Sequence, residues 1–204
     1  MKTNERDTEH KIKEAARLIF QQKGLSGTKT RDIAEAANIN VALLNYYFRS
    51  KKKLFDIIML ETMQSFFSGV QMILNVEETS ISEKISAFVD YYINLLSKNP
   101  NIPTFILNSI REEPESFIHK LGFLNQAKSS VFMRQFQEEL AEGKLPPINP
   151  VHFFMNLMGM VVFPFITQPM LTSSLEISSE AFEELMNERK RLIPRWIDSM
   201  LTVQ

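Results

Sequence analysis

Apolar residues recur at helical spacing along nearly the whole chain, and the register restarts wherever a cap, a glycine or a proline intervenes. Ile12, Ala15, Ala16, Ile19 and Phe20 share one face of a first helix from about Asp7 to Lys23, with Gly24 as its stop. Ile33, Ala34 and Ala37 repeat the pattern over only about two turns, behind Thr30, whose hydroxyl can cap a helix. Asn38 then marks a turn, because asparagine enters the left-handed region at low cost, and Asn40 can cap the next helix. There Val41, Leu44 and Phe48 form an inward stripe, which leaves Ala42, Leu43, Asn45, Tyr46 and Tyr47 pointing outward or sideways.

Ser50 opens a longer helix through Phe55, Ile58, Thr62 and Phe66 to about Asn75, roughly 37 Å at about 1.5 Å per residue. Ser80 and Glu83 form a capping box for a helix from Ile81 to about Lys98, with Ile85, Phe88, Val89, Tyr92 and Leu96 on one face. Pro103 suits the first turn of a shorter helix, and Pro114 ends that one or opens the next. An amphipathic segment then runs to about Glu142, including Phe117, Leu121, Leu124, Phe132, Phe136 and Leu140.

After the proline-rich GKLPPINP, residues Leu145 to Leu175 contain no Asp, Glu, Lys or Arg. Such a run reads either as a membrane span of about 20 residues or as a buried helix. His152, Asn156, Pro164 and Gln168 within it favour the buried helix, so no membrane partner is expected. The last segment, Ser179 to Leu201, supplies the covering face, and Pro194 is expected to kink or split it.

With six glycines in 204 residues, 44% hydrophobic content and no sustained alternation, the expected fold class is all-α. Charge divides the chain. Residues 1 to 55 hold 12 Lys+Arg against 6 Asp+Glu, a balance of +6, and the remainder 11 against 18, or −7, which sum to the overall −1. A basic N-terminal domain, 1–55, on an acidic body, 56–204, suits one-ended binding to a polyanion.

The surface left on the third helix, small and amide side chains with two phenols, suits base edges and phosphates in a major groove. Lys51, Lys52 and Lys53 at a helix start oppose the helix dipole, an arrangement that makes sense if an anion docks there.

The spacing T-x-x-I-A-x-x-A-x-I-x-x-x-x-L-x-Y-Y-F-x-x-K-x-x-L, carried by Thr30, Ile33, Ala34, Ala37, Ile39, Leu44, Tyr46, Tyr47, Phe48, Lys51 and Leu54, resembles the helix-turn-helix of TetR/AcrR-type transcriptional regulators. It departs at Asn38, where the family most often has Gly, and at Asn45, where many members carry Tyr. The resemblance implies an N-terminal three-helix DNA-binding bundle and a larger C-terminal helical domain for ligand binding and dimerisation. Thr30 and Arg31 would meet phosphate, Asn40, Val41, Ala42, Leu43, Asn45 and Tyr46 would face bases, and Tyr47 and Lys51 would clamp the backbone.

It further implies a pocket among the middle helices, for which the candidates are Phe66, Phe88, Tyr92, Phe105, Asn108, Phe132, Phe136 and Met158. The last two helices would form a four-helix homodimer interface, with Phe154, Met158, Val161, Phe182, Leu185, Met186 and Trp196 as candidates. The expected function is a repressor released from a palindromic double-stranded DNA operator by an apolar or amphipathic small molecule. The alternatives are an effector-independent regulator or activator, and a membrane-attached regulator.

Enzyme chemistry is not expected. His10, His119 and His152 fall in unrelated segments with no ligand at metal spacing, and there is no phosphate loop, nucleophile elbow or cysteine, so neither cofactor nor metal is implied. The charged N-terminus lacks the apolar stretch of a secretory signal, and a cytoplasmic location is expected.

Overall fold

The structure is a computed structural model that describes residues 2–112 and 128–202, without the side chains of residues 2–5, 66, 109 and 112. The described residues form helices and connecting turns with no strand. Part of the expected amphipathic segment, with Phe117, Leu121 and Leu124, lies outside them, as do Pro114 and His119.

The described residues divide into two compact units, one holding those up to Ser65 with 104–112, the other Phe66–Pro103 with 128–202. The first contains α1 (Lys2–Gly27), α2 (Thr30–Ala36) and α3 (Val41–Phe48), together with the start of α4 (Lys51–Leu74) and most of α6 (Ile102–Glu112). Helical geometry in α1 breaks at Gly24, whose φ of 66° is the left-handed conformation glycine permits. Ile12, Ala16 and Phe20 are buried with Ile33, Leu44, Leu54 and Phe55. Phe55 meets Phe20 edge-on at 5.0 Å and Phe105 at 5.4 Å, two aromatic pairs worth about 0.5–1.5 kcal/mol each beyond their burial.

Polar contacts fasten the outside of this core. Lys13 Nζ and Arg17 donate to the two oxygens of Glu61, each at 2.9 Å, and Arg17 also reaches Thr62 Oγ1 at 2.9 Å. Burial pushes Glu61 up, but the hydrogen bonds from Lys13 and Arg17 outweigh it and leave the carboxyl below its ordinary value. Lys13 is raised in turn, chiefly by its hydrogen bond to Glu61.

The second unit is built on α5 (Ile81–Lys98), which buries Ile81, Ile85, Phe88, Val89, Tyr92, Ile93 and Leu96 along one face. Ser80 and Glu83 close the expected capping box. Around α5 pack α7 (Val131–Ala141), α8 (Pro150–Ile166) and α10 (Ser179–Leu201), with α9 (Gln168–Ser174) beside α8 and α10. On α4, Gly69 lets the Tyr91 ring pack close: a Cβ there would lie 2.2 Å from Cζ of Tyr91, and the phenol would have to swing aside.

The charge-free run does not become one long helix. It divides at Thr167 into α8 and α9, bent by 53°, and α8 at 17 residues is about 26 Å long, short of the roughly 30 Å of a bilayer core. Nor is α8 covered on all sides. Phe153, Leu157, Val161, Pro164 and Phe165 are buried, while His152, Met155, Asn156, Gly159 and Phe163 form an exposed stripe. Helix α4 is long and apolar enough to pass for a span by composition alone, as core helices of soluble proteins also are.

Pro194 lies buried inside α10 without ending it. Pro164 likewise stays inside α8. Lacking an N–H, it cannot serve the carbonyl four residues earlier, Met160 O, and Arg189 of α10 supplies the donor at 2.7 Å. The same guanidinium lies 5.4 Å from the Trp196 ring centroid, and its buried Nε has no hydrogen-bond partner. Burial holds Arg189 below the usual arginine range.

Candidate nucleic-acid interface and ligand cavity

The turn between α2 and α3 is a Schellman motif. Ile39 N–H reaches back to Ala34 O at 2.9 Å and Asn38 N–H to Glu35 O at 3.0 Å, with Asn38 at φ 54°, so asparagine carries the left-handed corner. Asn40 Oδ1 then accepts from Leu43 N–H at 2.8 Å and caps α3. Leu44 and Phe48 are buried and fix the rotation of α3, so Ala42, Asn45 and Tyr46 face outward, Tyr46 at 75% exposure. Val41, Leu43 and Tyr47 are half-buried at the flanks, and Tyr46 and Tyr47 meet edge-on at 5.5 Å.

Two expectations need correction. The N-cap of α2 is Lys29, not Thr30: Lys29 N–H donates to Asp32 Oδ2 at 3.5 Å, and Thr30 is the first helical residue. Lys51 is not a free phosphate clamp either. Its ammonium donates to Leu25 O at 2.8 Å and Thr28 O at 2.7 Å, satisfying carbonyls that the end of α1 leaves without helical partners. Lys52 is paired with Asp56 at 2.8 Å. The exposed cations around α2 and α3 are Lys29, Arg31, Arg49 and Lys53, besides Lys23, which pairs with Asp32 of α2 at 3.1 Å. Of these, Arg31 and Lys53 were singled out from the sequence, Lys53 within the lysine run. Arg49 is the C-cap of α3 at φ 59°, so its left-handed backbone takes it out of the helical row of Ala42, Asn45 and Tyr46, although its seven-residue spacing from Ala42 could have flagged it in the sequence.

A second site lies within the larger unit. Val70, Leu74, Lys84, Ile85, Phe88, Tyr92, Ser130, Phe132, Met133, Phe136, Pro150, Phe153, Phe154 and Leu157 line a cavity of about 70 Å³ for water-sized occupants, within about 650 Å³ of non-atom space that includes its open mouth. Phe88 stacks on Tyr92 at 4.4 Å, and Phe132, Phe136 and Phe153 form a second aromatic group with centroids 5.1–5.9 Å apart. Burial raises the Tyr92 phenol well above its ordinary value, so it is neutral at any physiological pH.

Four of the expected pocket residues, Phe88, Tyr92, Phe132 and Phe136, come together here. Phe105 is buried in the other unit against Phe55, Asn108 is exposed there, Met158 does not line the cavity, and the Phe66 side chain lies outside the described residues. Lys84, Ser130 and Phe153 were missed.

The expected dimer residues also divide. Val161, Phe182 and Met186 are buried in their own chain at 1–4% exposure, because α8 and α10 pack on each other and on α5. Phe154, Leu185 and Trp196 remain over 40% exposed, Met158 is half-buried, and Met155 and Phe163 join the exposed set at 61%.

Two short helices joined by a Schellman turn and braced against α1 define a helix-turn-helix DNA-binding module. Residues 12–58 match the family model of bacterial regulatory proteins, tetR family. The chain is 23% identical over 169 residues to the probable HTH-type transcriptional regulator YttP of Bacillus subtilis, covering 82% of this chain and 81% of that one. It is 31% identical over 90 residues to the HTH-type transcriptional repressor NicS of Pseudomonas putida, covering 42% of each. In fold it is similar to the transcriptional regulator FadR of Bacillus subtilis, whose structure holds stearoyl-CoA, with a TM-score of 0.63 at 16% identity, covering 90% of this chain and 96% of that one. Residues 12–58 carry the DNA-binding domain of the tetR family, and the chain as a whole is similar to DNA-binding transcriptional regulators of that type.

Proposed function

We propose that the chain is a cytoplasmic, homodimeric repressor that reads a palindromic operator with α3 and releases it when a small apolar or amphipathic molecule occupies the cavity of the larger unit. The observation that carries the reading is the capped α3, whose outward row of Ala42, Asn45 and Tyr46 is flanked by exposed Lys29, Arg31, Arg49 and Lys53. The row suits base edges, and the flanking cations suit phosphates. Asn40, with Oδ1 committed to the cap, keeps only its amide N–H groups for DNA.

Dimerisation accounts for the exposed apolar side of α8 and α10. Gly159, in the α8 stripe, has nothing within 4 Å of its would-be Cβ and leaves room for a partner helix to approach closely. A two-fold pair would present two copies of α3 to half-sites about one DNA turn or more apart. Helix α4 belongs to both units, and its far end, Val70 and Leu74, lines the cavity. It is therefore the element through which cavity filling would reset the spacing of the reading helices. The ligand releases DNA only insofar as it binds the released state better. That the FadR fold accommodates an acyl-CoA in its own structure supports a cavity role of this kind.

The test is selection of bound duplexes from a random pool at about 0.1–0.2 M salt, where sequence-blind binding is weakened. The expected result is a palindrome, with Asn45→Ala changing the preferred half-site by about 1–3 kcal/mol at the contacted base pair. Sequence-blind, steeply salt-dependent binding would overturn the reading, and a palindrome with no small-molecule response would leave an effector-independent regulator.

A further inference from the structure

We propose that the cavity ligand is an amphipathic molecule carrying a single carboxylate, and that Lys84 is its counter-charge. The inference rests on the effector reading above and assigns the chemistry of that site.

Lys84 is 1% exposed, on the face of α5 that carries Ile81, Ile85 and Phe88, where a chain built only for stability would place an apolar residue. Its ammonium donates to two neutral oxygens, Thr79 O and, at 2.9 Å, Gln135 Oε1. No carboxylate lies within ion-pair distance of it among the described residues. Glu77 is paired with Arg134 and Glu83 with the Ser80 cap. A cation so enclosed, hydrogen-bonded to neutral oxygens but without a paired anion, carries a desolvation cost that an arriving carboxylate would offset.

Burial holds Lys84 below the ordinary lysine value, with Glu77, Glu83 and Glu78 opposing from a distance, and a carboxylate beside it would raise it again. The rest of the lining is aromatic and aliphatic apart from Ser130 and Tyr92, a setting for one apolar body and one polar head. Met133 gives the wall an adaptable side chain, so a ligand larger than the present space can be admitted by repacking.

The position of Lys84 also connects binding to α4. Gln135 Nε2 reaches Thr79 O at 3.2 Å and Glu77 O at 3.4 Å, and Asn75 Oδ1, just beyond α4, accepts from Val131 N–H at 3.2 Å. Lys84, Gln135 and Asn75 thus tie the connection after α4 to α7. A carboxylate that draws the ammonium away from Thr79 loosens that tie.

The probes are decanoate, decanol and decyltrimethylammonium, titrated into the full-length protein without DNA by calorimetry at submillimolar concentration. Decanoate is expected to bind about tenfold or more tightly than decanol, the range of a hydrogen bond to a charged group, with the cationic probe weakest. Lys84→Met should abolish the preference for decanoate while retaining decanol binding, and Lys84→Arg should restore part of it. Should Lys84→Met fail to fold, the head-group comparison on the wild type decides alone. Equal affinity for decanoate and decanol, or binding of none of the three, overturns the proposal. Operator release is read separately: decanoate bound with Lys84 dependence but without release upholds this assignment and overturns the effector reading.

Discussion

The surface of α3 and the surface shared by α8 and α10 invert each other. On α3, apolar Leu44 and Phe48 are hidden and polar Asn45 and Tyr46 are presented, over a turn whose hydrogen bonds are all local. On α8 and α10, Met155, Phe163, Leu185 and Trp196 are presented, while Arg189 of α10 turns its guanidinium to Met160 O of α8. The first pattern is complete in one chain and awaits a polar polymer. The second leaves large apolar side chains in water, which is the pattern expected of a surface that meets a partner.

The largest expected effect comes from breaking the second surface without touching the first. Leu185 on α10 is 43% exposed and Phe163 on α8 is 61% exposed, so Leu185→Glu with Phe163→Glu adds charge at little cost to the core. The double variant is expected to sediment as a monomer and to lose operator affinity by about 100-fold or more, from about 3 kcal/mol of lost association. Unchanged sedimentation would show that the apolar face serves something other than a second copy.

Next in size is the repair at Pro164. If Arg189 serves the carbonyl that proline leaves open, Arg189→Met orphans Met160 O and should lower unfolding free energy by about 1–2 kcal/mol. Pro164→Ala returns an N–H to the helix, and in that background Arg189→Met should cost about 1 kcal/mol less, a coupling read by a double-mutant cycle in urea. Additive effects would mean that Arg189 matters only through its contact with Trp196.

These two regions were unequally legible in the sequence, for a physical reason. The reading unit is specified by neighbours: Asn38 turns, Asn40 caps, and Leu44 and Phe48 set which side of α3 faces out, all within about ten residues. Where a long contact intervenes, local reasoning failed, as with Lys51, whose partners Leu25 and Thr28 lie 26 and 23 residues away. In the larger unit almost everything is of that kind. The apolar spacing of α5 was visible, but not that Lys84 would be buried among it. The surplus of α8 and α10 was visible too, but not that Val161, Phe182 and Met186 would be consumed within the chain while Met155 and Phe163 stayed outside.

The lysines that open α4 sharpen the comparison at smaller scale. Lys53 is exposed, so Lys53→Ala should weaken binding to all duplexes by several-fold, lower the slope of log affinity against log salt by roughly one, and leave stability within about 0.5 kcal/mol. Lys51→Ala should instead lower stability by about 1–2 kcal/mol through the two carbonyls it leaves open. The reverse assignment would put Lys51 on phosphate after all.

The smallest effect concerns Glu61, which holds Lys13 and Arg17 outside the core of the first unit. Its carboxyl lies below the ordinary 4.5, so its contribution to stability is present above about pH 4.5 and is lost as pH falls through the lowered value. Lys13 is raised above 10.5, so its share holds below that pH and fades as pH rises through the raised value. The Glu61 and Lys13 side chains are 35% and 22% exposed, and solvent screening limits the network to about 0.5 kcal/mol. Glu61→Gln should therefore cost about that much in urea unfolding at pH 7 and progressively less below pH 4.5. Other carboxylates with lowered values, Asp32, Glu83 and Glu180, titrate in both proteins and cancel in the difference. A difference that persists undiminished into acid would mean that Glu61 acts through packing on α1 rather than through its charge.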